Sequence, residues 1–160
     1  MQTQREMAIS KLSELVQVSK DAEKGFRQAA AEMHDKQEQA VFRMTSQERA
    51  EFAFRLQDAM RKQFGVKPPS TGSIAGLLHR GWMNFRYQLS LHNEDIVKKE
   101  CLRGEEKALG TYQDVFWDKI LPNIEPMLEE QYVKIIEMRD RLREETHHDG
   151  TSKEKSILLL

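Results

Sequence analysis

The chain has 160 residues, 39% of them apolar and 32% charged, with only four prolines and eight glycines, which leaves room for one core and too little turn chemistry for a β-rich fold. Lysine plus arginine (25) and aspartate plus glutamate (26) leave a net charge of -1, so no global field draws the molecule to nucleic acid. A single all-α domain with no nucleic-acid partner is expected.

The first long helix is expected over residues 5–34. Leu12, Leu15, Ser19, Ala22, Phe26, Ala29 and Met33 alternate steps of three and four, the spacing of a bundle seam. A short break leads into a second helix over 36–64, with Val41, Thr45, Glu48, Phe52, Leu56 and Ala59 near its seam. So short a connection makes the two helices antiparallel neighbours. "GVKPPSTGS" then stops the helix: Gly65 suits a C-cap and Pro68-Pro69 cannot continue it. A shorter helix over 73–89 buries Leu77, Leu78, Gly81 and Phe85 on one face and presents His79, Trp82 and Arg86 on another. Its length of about 25 Å, at ~1.5 Å per residue, is enough to carry the chain back along the bundle. The second and third long helices then run parallel, as in single-crossover bundles.

Asn93, followed by Glu94 and Asp95, caps the third long helix, expected over 93–117. The fourth is expected over 123–145, with Ile124, Leu128, Gln131, Ile135, Met138 and Leu142 inward. The bundle thus spans 1–147, and 148–160 is a polar tail that frays or docks on a neighbouring subunit. A homo-oligomer, with a dimer first, is expected. "MQTQREMAIS" lacks a secretory pattern, and no apolar run approaches the ~18 residues of a membrane span. The single Cys101 excludes an internal disulfide. Both point to the cytoplasm.

Glu23, Glu48 and Glu105 fall on or beside inward stripes of three long helices, and an isolated buried carboxylate is costly unless neutralised, paired or metal-bound. The first reading is a structural polar network: Arg139 pairs with the glutamates, and Tyr112 and Gln131 complete the hydrogen bonding. The second is a carboxylate-bridged centre for two iron or manganese ions, held by Glu23, Glu48, Glu51 and Glu105, in an oxidase, peroxide-handling or storage protein. The fourth helix offers no inward Glu-x-x-His to complete such a centre. A third reading is an interaction module whose partner or ligand face is His79, Trp82 and Arg86. No nucleophile constellation, phosphate loop or zinc spacing occurs, so catalysis is not the leading expectation.

Gly25 and Gly104 sit mid-helix, each preceded by a cation and an acid: Asp21-x-x-x-Gly25-x-x-x-Ala29 is echoed by Glu100-x-x-x-Gly104-x-x-x-Ala108. A mid-helix glycine costs about 1 kcal/mol relative to alanine, which points first to close packing of the two helices and second to room beside the carboxylates.

"SKDAEKGFRQAA", "STGSIAGLLHRGW" and "ECLRGEEKAL", in this order, resemble a bacterial family of uncharacterised four-helix-bundle proteins, a domain of unknown function placed in the ferritin-like superfamily. The resemblance covers roughly 12–142, and "GLLHRGW" is its most specific part. It implies a ferritin-like bundle with no established activity. By resemblance to the wider superfamily, Glu23, Glu48, Glu51 and Glu105 match metal-ligand positions. The resemblance also implies a histidine near Arg139, where this chain departs by carrying a fixed cation.

Overall fold

The computed structural model describes residues 1–67, 85–119 and 121–157, with side chains described as far as His147. Most of the expected crossover helix, including His79 and Trp82, lies outside the described residues; its last part, residues 85–90, is helical. Four long helices make up the rest: α1 (Gln4–Glu32), α2 (Lys36–Phe64), α3 (Glu94–Asp118) and α4 (Glu125–Ile157), the last preceded by a 3-10 turn, Pro122–Ile124. The fold is an all-α helical bundle.

Local chemistry sets the ends. Thr3 and Glu6 form a reciprocal capping box at the start of α1. Asp35 accepts hydrogen bonds from the backbone of Gln37 and Glu38 to open α2, and Asn93 accepts one from Ile96 to open α3. Gly65 ends α2 at a φ of 62°, a left-handed conformation that glycine adopts without strain. The turn from α1 to α2 is only Met33 to Asp35, which forces an antiparallel pair.

Polar links fix the directions of the helices. Arg5 donates to the Phe64 carbonyl (2.7 Å), joining the start of α1 to the end of α2. Lys11 near the start of α1 faces Asp118 at the end of α3 (4.0 Å), and Lys98 early in α3 reaches both Glu38 early in α2 (2.7 Å) and Glu145 late in α4 (3.4 Å). Hence α1 is antiparallel to α2 and α3, α4 is antiparallel to α3, and α2 and α3 run the same way, as expected from the sequence.

The core has two apolar layers. One is built around Leu12, Leu15, Leu56, Met60, Val115 and Leu128, the other around Phe26, Met33, Phe42, Val97, Met138 and Leu142. Full burial of each such side chain contributes about 1.5–3 kcal/mol. On α1, α2 and α3 the residues that fall between the layers are polar and buried: Ser19, Thr45, Ser46, Arg49 and Glu105.

Two features of the structure differ from the sequence reading. Helix α4 continues to Ile157 rather than stopping near 145; Asp149 and Gly150 are poor helix formers, but no proline follows Pro126 to forbid continuation. The buried face of α2 is also rotated from the expected seam. It comprises Phe42, Thr45, Ser46, Arg49, Phe52, Ala53, Leu56, Ala59 and Met60, so Arg49 points inward and Glu48 lies at the edge.

A buried arginine between two glutamates

The polar layer centres on Arg49. Its side chain is 1% exposed, and its Nη2 donates to Glu105 Oε2 at 2.6 Å while Nη1 donates to Glu48 Oε2 at 2.7 Å. The guanidinium also lies 5.0 Å from the Phe52 ring centroid and 6.0 Å from that of Phe26, contacts that offset part of its desolvation. Its Nε is buried with no hydrogen-bond partner among the described residues. Glu105 is itself 1% exposed. Burial pushes its carboxyl above the ordinary range, and the adjacent Arg49 opposes that shift.

Next to this pair, Tyr112 donates its phenolic proton to Gln131 Oε1 at 2.6 Å, and both residues are 0% exposed. Burial pushes the phenol upward in pKa, so it stays a neutral donor, with the Ser19 side chain beside it. Cys101 is buried and unpaired, and burial together with the carboxylates of Glu105 and Glu100 pushes its thiol upward. A thiol so held is a poor nucleophile.

The other expected site residues are dispersed. Glu23 is partly exposed and pairs with Arg27 at 3.7 Å, one turn along the same helix. Glu48 is at the bundle edge, between Arg49 and Lys134 (3.9 Å). Glu51 faces solvent. Arg139, expected to neutralise the inward glutamates, instead reaches Asp140 at 2.8 Å. It sits one residue past Met138, off the stripe of Leu128, Gln131, Ile135, Met138 and Leu142 that α4 turns inward. Arg86 is exposed.

A di-metal centre needs several carboxylates converging on two cations. Among the described residues, no three His, Cys, Asp or Glu side chains come together in a way that could hold a metal. A fixed guanidinium already takes one oxygen each of Glu48 and Glu105. The described residues therefore do not bring together the ligands of a di-iron or di-manganese centre. Arg49 was the residue that the sequence reading missed, although Phe42, Arg49 and Leu56 recur every seven positions and mark the true inward face of α2.

Residues 7–118, from α1 through α3, match the family model described as a domain of unknown function, DUF2383. The chain belongs to the DUF2383 family. The match stops at the end of α3, so α4, which supplies Leu128, Gln131, Ile135 and Leu142 to the core, lies beyond the matched part of this DUF2383 protein. No curated protein and no solved structure matches the chain. Among the described residues no helix is long and apolar enough to cross a membrane.

Proposed function

We propose that this chain is a non-catalytic ferritin-like bundle with a structural or stress-related role, in which a buried Glu/Arg network sets the helix register. The observation that carries this reading is Arg49, held at 2.6 Å and 2.7 Å from Glu105 and Glu48: the charge that neutralises the inward carboxylates comes from the chain itself. The parallel α2 and α3 support the ferritin-like assignment, since that is the single-crossover arrangement. The proposal includes a cytoplasmic homo-oligomer, with a dimer favoured. Exposed Phe54 and Trp117 support association, and the buried free Cys101 suits a reducing compartment.

The test is elemental analysis of protein purified without a metal-affinity column, before and after aerobic incubation with ferrous iron. Protein that takes up no stoichiometric metal agrees with the reading. Two metal ions per chain, lost in Glu48→Ala, would overturn it in favour of an oxidase or storage protein.

A second reading is favoured by one specific observation. Arg86 and Tyr87 are both exposed at the end of the crossover, Tyr87 to 62%, and both residue types recur at the centres of protein interfaces. On this reading the crossover presents a partner-binding face. Loss of association in Arg86→Ala with an unchanged melting curve is the expected result.

A further inference from the structure

The space beside the two mid-helix glycines is a cleft of about 120 Å³ between α1 and α3, with Phe85 against it. Close helix packing does not account for these glycines. Among the described residues, a Cβ built on Gly104 would meet nothing within 4 Å, and one on Gly25 would meet only the Phe85 ring, at the ordinary contact distance of 3.5 Å. Gly110, on the same helix, has similarly open surroundings, so the glycines alone indicate no site. The chemistry of the lining does.

The cleft walls are mainly apolar, and two aromatic rings, Phe26 and Phe85, contribute to them. Its size is close to that of a protein cavity of roughly 150 Å³ that holds benzene. The charges are sorted by depth. Glu105 is 1% exposed, the Glu100 side chain 13%, and Asp21 is half-buried. The cations on the lining face water: the Arg103 side chain is 58% exposed and turned onto Glu100, and Lys107 is exposed. Glu105 spends Oε2 on Arg49, and Asp21 spends Oδ1 on Gln17. Among the described residues no hydrogen bond reaches the second oxygen of either carboxylate. Aromatic faces combined with carboxylate acceptors recognise an organic cation, and they disfavour an anion.

We propose that this cleft is a binding site for a small organic amine of about one aromatic ring, its ring against Phe26 and Phe85 and its ammonium group on Glu105 and Asp21. Gly25 and Gly104 keep the space open, and the carboxylates of Glu105 and Asp21 turn away anionic analogues. The site needs no metal, and it shares Glu105 with Arg49, which holds the other oxygen of that carboxylate.

The test is a titration of the full chain at neutral pH and fixed ionic strength, followed by two-dimensional amide NMR, with benzylamine, benzyl alcohol and benzoate as probes. Benzylamine is expected to shift the Gly25 and Gly104 amides saturably, at concentrations about ten-fold lower than benzyl alcohol, a preference on the scale of one cation–π contact plus a charged hydrogen bond. Benzoate should shift neither. Gly104→Leu, which fills the cleft from α3, should abolish the response, and Asp21→Asn should reduce the preference for the amine over the alcohol. Equal binding of amine and alcohol, saturation at other amides, or no saturable shift overturns the proposal. The comparison of probes on the parent protein decides it even if Gly104→Leu does not fold.

Discussion

Arg49 and Glu105 form an ion pair at 2.6 Å in which both side chains are only 1% exposed, in a layer between two apolar clusters. Removing one partner of such a pair strands the other charge in a low dielectric, at a typical cost of about 3–5 kcal/mol. Arg49→Met is therefore expected to lower unfolding free energy by that amount in urea titrations. The double variant Arg49→Met/Glu105→Leu should recover most of it, because no uncompensated charge remains. A single variant as stable as the parent would remove the network from the account.

Arg139→Leu provides the contrast. Its partner Asp140 is 53% exposed, and solvent-screened pairs contribute about 0–1 kcal/mol. The change should stay within about 1 kcal/mol in the same assay, which places the core's counter-charge on α2.

Gly104→Ala is expected to stabilise the protein by about 0.5–1 kcal/mol, read from thermal or urea unfolding, since the added methyl meets nothing within 4 Å among the described residues and alanine is the better helix former. Gly65→Ala should act in the opposite direction, because Gly65 holds a φ of 62° that strains any side chain.

Tyr112→Phe leaves Gln131 Oε1 without its 2.6 Å donor in a fully buried position. A loss of about 1–3 kcal/mol is expected, the range for an orphaned buried acceptor. Gln131 already has a buried Nε2 with no partner among the described residues, so Tyr112→Phe/Gln131→Leu should be more stable than Tyr112→Phe alone.

Asp21 gives a pH dependence. Burial raises its carboxyl above the ordinary value, and the Gln17 hydrogen bond and the nearby Lys107 and Lys24 only partly offset the shift. A raised folded-state pKa means that the native protein binds the proton more tightly than the unfolded chain. The resulting stabilisation is complete below the unfolded value of about 3.9 and is lost as pH rises through the folded one. Asp21→Asn should thus raise the melting temperature at pH 7 relative to the parent, and the gain should shrink as the pH is lowered toward 4. A gain that grows on acidification would reverse the assigned direction.

The sequence made most of the bundle legible, because α1, α3 and α4 carry apolar stripes whose phase is unambiguous: Leu12-Leu15-Ser19, Ala108-Tyr112-Val115 and Leu128-Gln131-Ile135 are all buried. On α2 the phase was ambiguous. Val41 and Phe42, and likewise Glu48 and Arg49, are adjacent in the chain, and a rotation of one residue exchanges which member of each pair faces the core. The reading that set Val41 and Glu48 near the seam chose the wrong member of each pair. Pairing between helices was the other obstacle: Glu105 was recognisable as inward from its own helix, but its partner lies 56 residues away, and no periodicity carries that distance.

Three contacts near the α1–α2 turn each join residues 60 positions apart: Glu32 with His92, the His34 amide with Glu94, and Glu38 with Lys98. They tie the first hairpin to the entrance of α3 across the whole crossover, so none of them can form through local folding. Each must pay the closure entropy of a long loop, and those of His34 and His92 do so with strongly exposed rings. This end of the molecule should consequently behave as a latch that opens well before the core melts: amides around His34 and Asn93 should exchange with solvent through small openings, while those around Leu56 and Leu128 exchange only when the whole bundle unfolds.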